Sequence, residues 1–155
     1  MIILGLNAFH GDSSAALVRD GVLLAAAEEE RFCRIKHWAG FPSQSIAYCL
    51  REAGLSLAEV DHIAVNQDSR ANLLRKTWYV ATNASAIGLA LKKIKIRRDR
   101  HQIPELLERS FPTDAFKGDF HNVEHHLAHL SSAFHVSPFQ NAVVVSVDGF
   151  GDFAD

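Results

Sequence analysis

The chain has 155 residues, of which 48% are hydrophobic and 22% charged, and its formal net charge is −2 at pH 7. A chain of this length and balance can bury one hydrophobic core, and its weak charge gives no general attraction to nucleic acid or to a membrane surface. No apolar run is long enough to span a bilayer, so neither partner is expected. The only cysteines, Cys33 and Cys49, have no Cys-x-x-Cys spacing, which indicates a reduced, cytoplasmic protein.

The first 30 residues have the pattern of three short strands. Apolar runs cover residues 2–6, 14–18 and 22–27, and a polar, glycine-containing stretch over 7–13 separates the first two. Asp20-Gly21 separates the second and third, and Asp-Gly is the strongest short signal for a hairpin turn. The pattern therefore predicts an antiparallel meander.

A helix is predicted next, followed by alternating helices and strands. Apolar residues recur at positions 46, 49, 50 and 53, which is the spacing of one helix face. Pro42 suits the first helical position, Gly54 suits the end of the helix, and Ser56 with Glu59 resembles a capping box. Further along, we expect a strand over 61–66, helices over 69–98 and 104–110, a helix running to about Phe134, and a fifth strand over 141–147.

The resulting order, β-β-β-α-β-α-β, predicts an α/β fold. Three antiparallel strands followed by alternating helices and strands build a mixed five-stranded sheet with helices on both faces. The loop after the first strand and the loop after the last strand are then expected at one edge, where such sheets bind ligands.

Four of the nine histidines lie within residues 121–129. His125 and His129 are four residues apart, so on a helix they share one face and can offer two imidazoles to one metal ion. The strand predicted over 141–147 leads into Asp148, at the start of an acidic, glycine-rich loop. An exposed polar helix face and an ordinary turn remain the alternatives, but the combination favours a metal or phosphate site.

Five motifs, in order along the chain, point to a known family. They are Ile-Leu-Gly-Leu-Asn-Ala-Phe-His-Gly-Asp-Ser-Ser-Ala-Ala-Leu over 3–17, Ala-Glu-Glu-Glu-Arg-Phe over 27–32, the basic and aromatic stretch over 34–42, the histidine segment with its Ser-Pro-Phe extension over 125–139, and Asp-Gly-Phe-Gly-Asp over 148–152. Together they resemble the N-terminal region of the O-carbamoyltransferases. That family includes enzymes that modify nodulation factors, cephamycins and aminoglycosides, which implies a place in antibiotic or secondary-metabolite biosynthesis.

The resemblance implies the actin-like ATPase (ribonuclease H-like) fold, in the version shared with tRNA threonylcarbamoyl transferases. In that fold two similar halves enclose the site, and residues 1–155 would form the first half of the carbamoyl-transfer domain. The chain would then be an N-terminal fragment, inactive alone, of a longer enzyme, and the remainder of the same polypeptide would be its partner. The implied reaction moves a carbamoyl group from carbamoyl-adenylate, made from ATP and carbamoyl phosphate, to a hydroxyl of a small-molecule acceptor.

The resemblance also assigns roles to residues. His10 would be the general base for the acceptor hydroxyl, because an imidazole can accept a proton near neutral pH. The family pattern His-Asp-Ala-Ser stands here as His10-Gly-Asp-Ser, so the acidic residue is displaced by one position. The residues expected to bind substrate or phosphate are Asp12, Ser13, Lys36, Gly149 and Gly151.

The metal ligands would be His125, His129 and Asp148, and their imidazole and carboxylate donors suit iron, zinc or manganese. His126 is predicted to be a packing residue or to support the metal ligands, and His121 a polar surface residue. The charged run over 28–31 is predicted to be mostly solvated or structurally paired.

Two other functions remain open at this point. One is a sugar or acetate kinase of the same fold, which would not need the histidine pair, so that metal content distinguishes the two. The other is a non-catalytic metal-binding or interaction module.

Overall fold

The computed structural model describes residues 1–66 and 102–147. Its strands are β1 (Ile2–Asn7), β2 (Ser14–Arg19), β3 (Val22–Glu28), β4 (His62–Val65) and β5 (Asp119–Asn122). Its helices are α1 (Glu30–Cys33), α2 (Ser43–Ala53), α3 (Ile103–Ser110) and α4 (His125–His135), with a 3-10 turn at Leu57–Glu59. Within the described ranges, 1–65 and 102–121 belong to one compact unit and 122–147 belong to a second.

The five strands form one mixed sheet in the order β3-β2-β1-β4-β5. β1 pairs antiparallel with β2, β2 pairs antiparallel with β3, and β1 pairs parallel with β4. The predicted meander and mixed sheet are therefore confirmed. Asp20 and Gly21 both have positive φ, 50° and 82°, as a two-residue hairpin turn of type I′ requires.

The core of the first unit lies against one face of the sheet. Leu4 of β1 is opposite Leu17 of β2 and Ile63 of β4, and all three are fully buried. Because side chains alternate along a strand, this register places them on one face. Ile46 of α2 and Leu107 of α3 belong to the same core, so the apolar stripe predicted for α2 is confirmed.

The N-terminus of α2 is capped by a residue from another element. Pro42 is the N-cap position and makes no side-chain cap. Instead Glu29, which follows β3 and is only 3% exposed, places its carboxylate on the start of the helix. It accepts from the amide and the hydroxyl of Ser45, both at 2.8 Å, and from the amide of Gln44 at 3.1 Å. The first turn of a helix leaves amide donors unpaired and attracts negative charge. The Glu29 carboxylate accepts from these amides and brings a negative charge to the N-terminus of α2.

The local signals around α2 are also confirmed. Gly54 ends the helix with φ 63° and donates its amide to Arg51 and Leu50 carbonyls. Ser56 and Glu59 form the predicted capping box, with the Glu59 carboxylate 2.8 Å from the Ser56 amide. This hydrogen bond, with a second from the Ser56 hydroxyl, holds the pKa of Glu59 below its usual range.

The prediction of a strand over 141–147 is wrong. Residues 142–147 have no regular secondary structure, and Val143, Val145 and Val147 are 94%, 76% and 94% exposed. A strand needs a neighbouring strand to satisfy its backbone, and none of the described residues pairs with this segment. The fifth strand is instead β5, whose four residues are all exposed. The helix predicted over 69–98 lies outside the described residues. Among the described residues, α2 and α3 pack in the core with Leu4.

The buried thiol of Cys49 gives a first testable prediction. Cys49 is 0% exposed, and burial raises its pKa to about 11. At pH 8 it should carry about 10²-fold less reactive thiolate than an ordinary thiol. Iodoacetamide labelling followed by peptide mass spectrometry should therefore modify the half-buried Cys33 well before Cys49. Equal labelling rates in the folded protein would contradict this burial.

Within 1–66 and 102–147, no helix has the length and apolar character needed to cross a membrane.

Candidate active site

His10 lies on an exposed loop between β1 and β2. The loop is braced internally, because the Asn7 side-chain amide donates to the carbonyls of Gly11 at 3.0 Å and Asp12 at 2.9 Å. The Ser13 hydroxyl donates to the His10 carbonyl at 3.1 Å. The backbone that carries His10 is therefore fixed by hydrogen bonds that do not involve its imidazole.

A second loop, residues 34–42, is joined to this first loop by backbone hydrogen bonds. The Phe9 amide donates to the Gly40 carbonyl at 3.1 Å, and the Ser13 amide donates to the Trp38 carbonyl at 2.9 Å. The Ser13 hydroxyl also donates to the Gly40 carbonyl at 2.9 Å. The Trp38 ring packs over Gly40, where an added Cβ would come within 2.7 Å of it. The two loops therefore form one surface, which carries His10, Asp12 and Lys36.

Three of the predicted substrate-binding residues lie in these two loops and differ in their exposure to solvent. Lys36 and Asp12 are exposed. Ser13 is 1% exposed, and its hydroxyl donates to two backbone carbonyls, which gives it a structural use. Substrate contact by these residues stays a prediction.

Sequence reasoning missed His37, which lies beside Asp12. The His37 Nδ1 atom is 2.8 Å from Asp12 Oδ1, although the two residues are far apart in sequence. A histidine in a basic, aromatic loop carries no spacing signal of its own, and only the joining of the two loops brings it to a carboxylate. The structure thus adds an imidazole to the surface that carries His10.

His125 and His129 come together as predicted. They lie one turn apart on α4, with His125 buried and His129 exposed. Their Nε2 atoms are 3.2 Å apart and their rings are nearly perpendicular, at 86°.

This geometry fits two ligands of one metal ion. Two imidazole nitrogens bound at ~2.0–2.1 Å lie about 2.9–3.4 Å apart for angles between right and tetrahedral. The same separation also fits one N–H···N hydrogen bond. Asp148, the third predicted ligand, lies outside the described residues with Gly149 and Gly151. Among the residues that are described, no group of three His, Cys, Asp or Glu side chains is placed to hold an ion.

Glu124 is the N-cap of α4, the helix that carries this histidine pair. Glu124 accepts from the amides of Leu127 at 2.7 Å and His126 at 3.1 Å. Burial opposes its ionisation, but these two bonds and the nearby His126 and His125 rings outweigh burial and lower the pKa of Glu124. A lowered pKa means that the cap stabilises the helix above the unfolded-state pKa of a glutamate. That contribution is lost as the pH falls through the lower folded-state value.

Glu124→Ala should therefore loosen the first turn of α4 at neutral pH. Loss of an N-cap costs about 1 kcal/mol, which corresponds to about fivefold faster amide hydrogen exchange at His126 and Leu127. Exchange rates in the unsubstituted protein should first be corrected for the ordinary pH dependence of amide exchange. The remaining protection of these two amides should fall only at pH values below the usual pKa range of a glutamate. Unchanged exchange in the variant at pH 7 would contradict the capping role.

The two remaining histidines of the segment have partners. His126 Nδ1 is 3.3 Å from the Ser146 hydroxyl, and its Nε2 is buried without a hydrogen bond to the described residues. His121 Nε2 is 3.1 Å from His62 Nδ1 of the neighbouring strand β4. His121 is exposed, as predicted, but it also makes this cross-strand contact.

Comparisons with known proteins identify the family of this chain. The family model described as carbamoyltransferase N-terminus matches residues 2–155. A nodulation protein, NolNO of Sinorhizobium fredii, is 37% identical over 156 residues, which cover 96% of this chain and 21% of that protein. An uncharacterized protein of Synechocystis is 37% identical over 165 residues (98% and 26%), and one of Methanocaldococcus jannaschii is 30% identical over 151 residues (97% and 23%).

The chain thus spans about a fifth to a quarter of the length of these curated relatives. The match nevertheless covers nearly all of the chain, including the His10 loop and the helix that carries His125 and His129. The chain belongs to the carbamoyltransferase family, of which it matches the N-terminal part.

Proposed function

We propose that this chain provides part of the acceptor side of an O-carbamoyl transfer site. In this proposal a carbamoyl group moves from carbamoyl-adenylate to a hydroxyl of a small-molecule acceptor. The observation that carries it is the match of the carbamoyltransferase N-terminal model to residues 2–155. The placement of a histidine on a braced, exposed loop at the end of β1 supports it.

His10 is the proposed general base. The acceptor oxygen bonds to the carbamoyl carbon while its proton passes to the imidazole, and the bond from that carbon to the adenylate oxygen breaks to release AMP. General base catalysis needs an imidazole that solvent and substrate can reach. His10 is exposed. The backbone of its loop is held by hydrogen bonds from Asn7 and Ser13, so the imidazole projects from an ordered loop.

His125 and His129 are the proposed histidine ligands of a divalent metal ion of the iron, zinc or manganese class. When bound, such an ion would act as a Lewis acid and template for a carbamoyl-phosphate group. The 3.2 Å separation of the two Nε2 atoms supports this role. Glu124 caps the first turn of α4, which carries His125, and His129 follows one turn later.

The nucleotide product separates this proposal from the kinase alternative. Complete protein supplied with ATP, carbamoyl phosphate, Mn²⁺ and a panel of sugar, aminoglycoside and oligosaccharide acceptors should form AMP and pyrophosphate from ATP, and inorganic phosphate from carbamoyl phosphate. Chromatography of the nucleotides detects AMP, and ³¹P NMR detects pyrophosphate. Formation of ADP alone, with phosphate on the acceptor, would replace carbamoyl transfer with phosphoryl transfer.

A further inference from the structure

The contact between Asp12 and His37 has no evident use in holding the fold together. The two side chains are 54% and 80% exposed, and their nearest polar atoms are 2.8 Å apart. An exposed ion pair of this kind contributes little to stability. Backbone hydrogen bonds already join the two loops that carry these residues.

Both residues nevertheless adopt backbone conformations that side chains rarely occupy. Asp12 has φ 60° and His37 has φ 54°, in the left-handed region that costs energy for residues other than glycine. The His37 amide also donates to the Glu30 carboxylate at 3.4 Å. His37 is thus held at its backbone amide and at the Nδ1 atom of its ring.

The contact decides which ring nitrogen is left for a ligand. A carboxylate accepts, so Nδ1 carries the hydrogen that faces Asp12, and Nε2 is the other nitrogen. An imidazolium donates from both nitrogens, and can therefore bridge a carboxylate on one side and an anion on the other. The titratable or charged residues around it are Asp12, Glu30, and the exposed Lys36 and Arg34 of the same loop.

We propose that His37 binds the phosphate of the adenylate through Nε2–H and that Asp12 is the positioning residue for its imidazole. This inference rests on the proposed function, because it identifies the anion as the phosphate that leaves with AMP. A negatively charged carboxylate would repel a phosphate in direct contact. Positioning the imidazole of His37 is therefore a better use of Asp12. His37 makes and breaks no covalent bond.

The first test compares AMP with adenosine as ligands of the complete protein, by calorimetry at pH 6.5. His37→Asn should weaken AMP binding about tenfold, the effect of one charge-assisted hydrogen bond, and leave adenosine binding unchanged. His37→Arg keeps a planar cation and should recover part of the AMP affinity. Equal loss of AMP and adenosine binding would mean that the loop has been disturbed, and would overturn a phosphate role.

The direction in which Asp12→Asn changes the AMP affinity distinguishes two possible roles of Asp12. If Asp12 only faced the phosphate, removing its charge would relieve repulsion and tighten AMP binding. If Asp12 positions His37, the variant should bind AMP about threefold more weakly. The ¹⁵N NMR signals of the His37 ring should change with this variant, because Nδ1 loses its carboxylate partner. Tighter AMP binding, or unchanged ring signals, would overturn the positioning role.

Failure of this inference can be told apart from failure of the proposed function. If wild type and His37→Asn bind AMP equally, the phosphate role of His37 is wrong and carbamoyl transfer is untouched. If the wild type binds neither AMP nor adenosine, the adenylate step of the proposed function is wrong, and the inference falls with it.

Discussion

His10→Asn should lower carbamoyl transfer by about 10²–10⁴-fold, the usual contribution of a positioned general base. Asparagine keeps polarity and approximate size but cannot take the proton from the acceptor hydroxyl. The Asn7 and Ser13 side chains donate to carbonyls of the loop, and the change leaves these three hydrogen bonds in place. Formation of carbamoyl-adenylate, measured as pyrophosphate release in the absence of acceptor, should continue at the wild-type rate.

The matched control is His135→Asn, at an exposed histidine in the last turn of α4. It should leave transfer within about twofold of wild type, because surface substitutions away from special features have small effects. Undiminished transfer by His10→Asn would rule out its role as the base. Loss of both transfer and pyrophosphate release would indicate a damaged fold.

Glu29→Ala should have the largest effect on stability. It removes a buried carboxylate that accepts from the amide and hydroxyl of Ser45 and from the amide of Gln44, and leaves buried donors without partners. Hydrogen bonds to charged groups contribute about 1.5–3 kcal/mol each, and unsatisfied buried donors add to the loss. We expect the free energy of unfolding of the complete protein to fall by about 3 kcal/mol in urea denaturation.

Glu28→Ala is the matched control for this prediction. Glu28 is the preceding residue, with a side chain 47% exposed and a loose 3.8 Å contact to Arg31. Its loss should change stability by less than about 0.5 kcal/mol. Equal effects of the two changes would show that burial and helix capping do not distinguish Glu29 from its neighbour.

Local sequence signals predicted the parts of the fold that depend on local geometry. The Asp20-Gly21 turn needs two positive φ angles, and Asp-Gly supplies them at low cost. The capping box at Ser56 and Glu59 closes within four residues, so its spacing alone identifies it. The histidine pair on α4 likewise follows from the repeat of a helix.

Features that depend on contacts distant in sequence were not predictable in the same way. Glu29 stands in a run of three glutamates, and nothing in that run shows which one reaches the N-terminus of α2. The strand β5 is short and fully exposed, so it has no alternation to detect. Conversely, the valines at 143, 145 and 147 alternate as a strand would, but alternation does not supply a partner for the backbone.

The same distinction between local features and distant contacts applies to the candidate site. Helical spacing alone predicted the His125–His129 pair, whereas His10 was proposed only through the resemblance of residues 3–17 to the O-carbamoyltransferases. The contact between Asp12 and His37 joins two loops, and no spacing rule reports it.

A change in the mass of the acceptor would test the proposed carbamoyl transfer to a hydroxyl. Complete protein should be supplied with ATP, Mn²⁺, ¹³C-labelled carbamoyl phosphate and the acceptor panel, with His10→Asn run in parallel. We expect the wild type to form an acceptor heavier by one ¹³C-labelled carbamoyl group, and His10→Asn to form at least about a hundredfold less of it. An acceptor heavier by one phosphoryl group, or no acceptor modified while ATP is consumed, would contradict this proposal.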